Sequence, residues 1–188
     1  MARWQPDAQG RLEQAALSLY AERGYEGTTV TEIAAEAGLT ERTFFRHFAD
    51  KREVLFARSS ELAERMVAAV DAAPAEAPAM AAVGAGLDAI GEAFVDRREH
   101  AVRRQAVIMS SPELRERELS KLASMSAALG EALRRRGVGE PGASLAAEAG
   151  IAVFRVGFER WVEAGEPADL GLLMRDGLAE LRQVTADG

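Results

Sequence analysis

Arg42 and Thr43 sit in the run Thr40-Glu41-Arg42-Thr43-Phe44-Phe45-Arg46-His47-Phe48, and both are side chains that can read a base pair. A guanidinium can donate two parallel hydrogen bonds to O6 and N7 of guanine, worth about 1–3 kcal/mol of discrimination against a wrong base. A threonine offers its hydroxyl to a base edge or its methyl to thymine. This chemistry requires exposure near the start of a helix that fits the major groove. The spacing predicts such a helix over 41–48. Thr40 is a good N-cap. Phe44 and Phe48, at i and i+4, share the face to be buried, which turns Arg42, Thr43 and Arg46 outward.

The preceding residues predict what holds this helix. Thr29 and Glu32 have capping-box spacing, so a helix should begin at Val30. Ile33 and Ala37 lie one turn apart and face inward together. Gly38 suits the left-handed position beyond a helix end, and Leu39 plugs the turn. Short helix, glycine-containing turn and short helix is the helix-turn-helix plan, whose second helix enters the major groove. Asp50 and Glu53 form a second capping-box pattern, predicting a long helix from Lys51 to about Ala72. Thr29 and Lys51 stand at predicted helix starts, where free backbone N–H groups favour phosphate.

The run T-V-T-E-I-A-x-x-A-G-L-T-x-x-T-F-F-R-H-F-x-x-K-x-x-V-L, from Thr29 to Leu55, resembles the N-terminal domain of the TetR family of transcriptional regulators. The likeness extends upstream through Leu12, Ala15, Ala16, Leu19, Tyr20, Arg23, Gly24, Tyr25 and Thr28, covering roughly the first third of the chain. Two positions depart from the family pattern. Arg42 stands where many members carry glycine or another small residue, and Phe45 where most carry tyrosine. A hydroxyl that usually reaches phosphate is therefore missing, and a guanidinium is added. Beside Arg42 and Thr43, the resemblance implies DNA contacts, mostly to the backbone, at Thr29, Thr40, Phe45, His47 and Lys51. Phe45 can only pack on sugar or a thymine methyl. Arg46, one turn further along, is expected at phosphate or in solvent. The resemblance also implies a homodimer on a palindromic double-stranded operator. It further implies a small-molecule effector in the larger domain whose binding releases DNA, repression being the family's common mode.

The whole chain is compatible with these expectations. Its 188 residues allow one sizeable core or two small domains. Abundant alanine and few β-branched residues favour helix. The fold predicted is all-α, about nine helices in total, with no strand. Residues 1–58 would be a three-helix helix-turn-helix domain and 59–188 a helical ligand-binding and dimerisation bundle. The net charge of −7 argues against non-specific adhesion to nucleic acid. Locally, however, Arg42, Arg46, Lys51, Arg52 and Arg58 outnumber Glu41, Asp50 and Glu53. The absence of cysteine excludes disulfides and thiolate metal sites, and His47 and His100 lack metal-ligand spacing. No metal or cofactor is expected. No nucleophile–base pairing and no G-x-x-x-x-G-K loop supports an enzyme. A DNA-binding architectural protein without effector is the nearer rival. No secretory leader is visible, and no apolar run approaches the ~20 residues of a membrane span, so a cytoplasmic protein is expected.

In the larger domain one segment is apolar on two sides. Over 143–164, Leu145, Ala149, Ala152, Val153 and Val156 form one stripe; Ala147, Ile151, Phe154, Phe158 and Trp161 form another. Such a helix must be covered from two directions. The subunit interface is expected at Ile151, Phe154, Phe158 and Trp161, joined by Leu170, Met174, Leu178 and Leu181 of the last helix. Met66, Phe94, Met109, Met125, Phe154, Phe158 and Trp161 are candidates to line an apolar ligand cavity, ordinary core being the other home for each. The predicted helix from Lys51 to Ala72 would serve two cores, Val54 and Leu55 entering the small one and Met66 and Val70 the large. Ahead of a first helix capped by Asp7, Arg3 and Trp4 are read as a loose arm or a minor-groove contact. Glu166-Pro167 is read as a helix break.

Overall fold

The computed structural model describes residues 8–164 and 168–186. The Arg3–Trp4 arm, the Asp7 cap and the Glu166–Pro167 break lie outside them. Among the described residues there are nine α-helices, one 3₁₀ turn and no strand. They are α1 (Ala8–Arg23), α2 (Val30–Glu36), α3 (Glu41–His47), the 3₁₀ turn Glu53–Phe56, α4 (Ser59–Ala72), α5 (Ala79–Ala93), α6 (Arg98–Ser110), α7 (Pro112–Arg135), α8 (Gly142–Glu163) and α9 (Leu170–Ala186). None of these helices is long and apolar enough to cross a membrane.

The chain divides into two compact units. The first is Met1–Arg58 with Glu99–Leu119; the second is Ser59–Arg98 with Ser120–Gly188. One boundary between the units falls at Arg58, and most of α6 and the start of α7 join the N-terminal helices. Their reason is apolar. Val107, Ile108 and Leu114 are buried in one cluster with Leu12, Ala16, Leu19 and Tyr20 of α1, Ile33 of α2, Phe44 of α3 and Val54–Phe56. Three helices of modest length bury too little surface alone, and the added pair completes the core.

The expected helix from Lys51 to Ala72 is not continuous. A 3₁₀ turn over Glu53–Phe56 precedes α4, which starts at Ser59. Val54, Leu55 and Phe56 are all buried, and three consecutive residues cannot share one face of an α-helix. The Leu55 carbonyl accepts from Arg104 Nε at 2.7 Å. Asp50 Oδ1 still caps the segment, accepting from the backbone N–H of Arg52 and Glu53. α7 instead has its first eight residues in the first unit and the remainder in the second, while α6 gives only Arg98 to the second.

Tyr20 ties α1 to this segment, its hydroxyl donating to the Lys51 carbonyl at 2.6 Å. Burial, aided by Tyr25 and Asp50 nearby, pushes the Tyr20 phenol well above its ordinary range. The unfolded chain ionises near pH 10 while the folded chain resists. Stability from Tyr20 is therefore complete below about pH 10 and is lost as pH rises beyond it. Urea denaturation between about pH 9 and 11 should show this decline, and Tyr20→Phe should reduce it, the rest coming from Tyr25, whose phenol burial also raises. At neutral pH that variant should cost about 1 kcal/mol for the hydrogen bond lost.

In the second unit, small residues let helices cross closely. A Cβ on Gly91 of α5 would lie 2.8 Å from Gly171 Cα of α9, leaving no room for a side chain. Met66 of α4 fills the notch at Gly86 of α5, and Val83 of α5 that at Gly150 of α8. Val70, Ile90, Leu129, Leu133 and Met174 complete an apolar interior.

Candidate nucleic-acid interface

The first unit builds its exposed surface from the two capped helices. Thr29 and Glu32 make the full capping box: Thr29 N–H donates to Glu32 Oε2 at 2.9 Å, and Glu32 N–H to Thr29 Oγ1 at 3.3 Å. Gly38 takes the left-handed conformation, φ 64°, which a side chain would resist. The Arg11 guanidinium donates to the Ala37 carbonyl beside it, bracing the turn from α1. Thr40 caps α3, its Oγ1 accepting from Thr43 N–H at 3.2 Å and lying 3.1 Å from Thr43 Oγ1.

The two faces of α3 separate as the spacing predicts. Phe44 is fully buried and stacks with Phe48, ring centroids 5.5 Å apart. Phe45, next in sequence, is 55% exposed. Arg42 and Arg46 are exposed, one turn apart. Neither has a hydrogen-bond or ion-pair partner among the described residues. Both are thus ready to meet an external anion or base edge without first breaking a bond.

The other expected contacts are arranged differently. Lys51 Nζ donates to the carbonyls of Tyr25 and Thr28, each at 2.9 Å, and lies 4.3 Å from the centre of the Tyr25 ring. Two of its three donors are therefore committed inside the unit. Nε2 of His47 is buried without a hydrogen-bond partner, so this nitrogen does not face outward. Arg52, counted in the basic patch, is bound by Asp50 at 2.7 Å and Glu113 at 3.2 Å. The hydrogen bond with Asp50 leads the causes that raise the Arg52 pKa above its ordinary value and depress that of Asp50. The free positive charge of the face is consequently narrower than the sequence patch. It centres on Arg42 and Arg46, the latter a residue not singled out as a site on sequence grounds.

In the second unit, Phe94, Phe154, Phe158 and Trp161 come together, with neighbouring ring centroids 5.5–5.8 Å apart. Met66 and Met125 are buried in the same unit. Met109 is not part of that group: it is 55% exposed and belongs to the first unit. Most residues of the expected subunit interface lie inside the chain. Ile151, Phe154, Phe158, Trp161, Leu170, Met174 and Leu178 are buried by the chain itself, and Leu181 is half-buried. Of the other stripe on α8, Leu145, Ala152 and Val156 stay exposed and Ala149 half-buried while Val153 is buried; Leu172 on α9 is exposed too.

Comparison with known proteins places this geometry. Residues 13–57 match the family model described as bacterial regulatory proteins, tetR family, and residues 77–186 match that of the MftR C-terminal domain. The HTH-type transcriptional regulator TcmR of Streptomyces glaucescens is 45% identical over 76 residues, covering 40% of this chain and 34% of TcmR. The chain thus aligns with about a third of that relative's length. Among solved structures, the transcriptional regulator FadR from Bacillus subtilis in complex with stearoyl-CoA superposes with a TM-score of 0.63 at 21% identity, covering 90% of this chain and 95% of that one. The fatty acid degradation regulator FadR from Bacillus halodurans gives 0.59 at 20% identity, covering 94% and 95%. These two likenesses establish the shared fold. Since the second family model alone spans more than half of the sequence and the first falls on the helix-turn-helix just described, the chain belongs to the TetR family of transcriptional regulators.

Proposed function

We propose that this protein is a dimeric, sequence-specific repressor that leaves a palindromic operator when a small apolar effector binds its second unit. The observation that carries the reading is the face of α3, where Arg42 and Arg46 are free and exposed while Phe44 and Phe48 anchor the opposite side. Arg42 reads a guanine, Thr43 and Phe45 touch neighbouring groups, and Arg46 meets phosphate. Thr29, Thr40, His47 and the remaining donor of Lys51 contribute backbone contacts at the edges. A regulator of this kind works in the cytoplasm, beside the DNA it controls, and catalyses nothing.

Two recognition helices are needed for a two-fold operator, with half-sites about 34 Å apart. The open stripe Leu145, Ala149, Ala152 and Val156 has the i, i+4, i+7, i+11 spacing of a helix–helix seam. With Leu172 it supports a four-helix bundle formed by α8 and α9 of both subunits. The effector site is assigned to the aromatic group Phe94, Phe154, Phe158 and Trp161. The stearoyl-CoA held by the Bacillus subtilis FadR supports a long apolar chain as one ligand chemistry. Effector binding shifts the population toward a state with the wrong spacing of recognition helices, and α7, with residues in both units, is the element that carries the change.

The test is selection of bound fragments from genomic DNA, with and without long-chain acyl-CoA. A palindromic consensus that disappears with ligand is expected. Uniform coverage without a palindrome would favour the architectural alternative. Arg42→Ala should relax preference at one position per half-site by about 1–3 kcal/mol. Arg46→Ala should weaken all sequences alike and reduce the salt slope by about one per half-site.

A further inference from the structure

The N-terminal ends of α2 and α3 are joined by one exposed side-chain bond: Thr31 Oγ1 donates to Glu41 Oε1. Both residues are exposed, and Glu41 immediately precedes Arg42 at the start of α3. The two helices do not need this bond to pack, because Ile33 and Phe44 are fully buried between them and the rest of the core. Water competes for an exposed hydrogen bond, so its contribution to stability is small. Its consequence is orientation: it biases a long, otherwise mobile carboxylate toward one place on the face that carries Arg42.

We infer that Glu41, positioned by Thr31, is a specificity-determining residue that selects a cytosine next to the base pair read by Arg42. An ionised carboxylate only accepts hydrogen bonds. Among the major-groove edges, cytosine N4 offers a donor without an adjacent acceptor on the same base, whereas guanine and thymine oxygens oppose a carboxylate. One carboxylate oxygen is engaged by Thr31, and the other remains to accept from N4. Adenine N6 is the competing donor, but its neighbour N7 is an acceptor and fits an amide better than a carboxylate. Repulsion from phosphate adds a second effect: a fixed negative charge weakens every complex in which no amino group meets it. The pair therefore rejects wrong sequences as well as choosing a right one.

This inference rests on the reading of α3 as the recognition helix, and the experiment separates the two. The full-length protein, Glu41→Ala, Glu41→Gln and Thr31→Val are each put through selection from randomised duplex DNA, followed by titration of single-substitution operators. The wild type should prefer cytosine at one position per half-site by about 5- to 100-fold. Glu41→Ala should lose that preference alone, Glu41→Gln should move it toward adenine, and Thr31→Val should reduce it with an unchanged thermal midpoint. The inference is overturned if Glu41→Ala selects the same consensus as the wild type, or tightens binding to all sequences equally, the mark of phosphate repulsion or helix-dipole support only. A wild type that selects no consensus would sink the recognition-helix reading itself.

Discussion

Val156→Glu is expected to turn the dimer into a monomer and to lower affinity for a two-half-site operator by about a hundredfold or more. Val156 is 46% exposed in the isolated chain and lies on the proposed seam with Leu145, 65% exposed, and the small residues Ala149 and Ala152. A glutamate there would have to lose its hydration against the partner's apolar stripe, a cost of several kcal/mol unless it finds a partner. In the monomer the same glutamate stays in water and costs the fold little. The loss in DNA affinity follows from linkage. Once one recognition helix is bound, the second meets its half-site at a high effective concentration, an advantage of about 10²–10⁴ that a monomer forfeits. Sedimentation should report the monomer, and titration of a single half-site should give nearly the wild-type affinity. Phe158→Glu is the contrasting variant. Phe158 is 8% exposed and stacks on Phe94, Phe154 and Trp161 within the chain, so its substitution should destabilise the protomer rather than separate two folded ones. A Val156→Glu protein that still sediments as a dimer would place the interface elsewhere.

That contrast also shows where sequence reading stops. The face of α3, the caps at Thr29 and Thr40 and the left-handed turn at Gly38 were legible because each depends on residues within a turn or two of one another. The division of α8 was not. Both of its stripes are apolar, so periodicity marks two buried faces without saying which faces inward. Size decides it: the aromatic stripe meets Phe94 of α5's C-terminal end, while Gly157 lets Met174 of α9 approach closely. Of the alanine-rich stripe, Leu145, Ala152 and Val156 are left outside while Val153 turns inward. The partners of the charges near α3 were hidden for a similar reason. Arg52 and Lys51 look free in sequence, yet their partners are Glu113, 61 positions away, and the carbonyls of Tyr25 and Thr28. Arg104 reaches the Leu55 carbonyl across a separation of 49 and lies 5.1 Å from the Phe56 ring. The pairs with Glu113 and Arg104 form only after α6 and α7 have returned to the N-terminal helices, and no local pattern announces any of these contacts. The break after Lys51 was partly visible, since Val54-Leu55-Phe56 is too continuous an apolar run for one helical face.

Phe44 and Phe45 are adjacent in sequence and should respond to alanine in opposite ways. Phe44 is fully buried, with Phe45 and Phe48 as ring neighbours at 5.4 and 5.5 Å. Its removal leaves a cavity in a core assembled from α1, α2, α3, α6 and α7, and should cost about 3–5 kcal/mol. Whole proteins of this kind hold only about 5–15 kcal/mol in total, so Phe44→Ala should lose DNA binding because the helix-turn-helix is no longer reliably folded. Phe44→Leu, which keeps most of the volume, should restore much of both. Phe45 is 55% exposed, and Phe45→Ala should change stability by less than about 0.5 kcal/mol. Its DNA affinity should nevertheless fall severalfold, with the melting curve unmoved, if the ring packs on sugar or a thymine methyl in the complex as proposed. Urea denaturation and operator titration on the three variants separate the roles. A Phe45→Ala protein with wild-type affinity would mean that this side of α3 points away from the duplex, and the assignment of Arg42 as a base reader would fall with it.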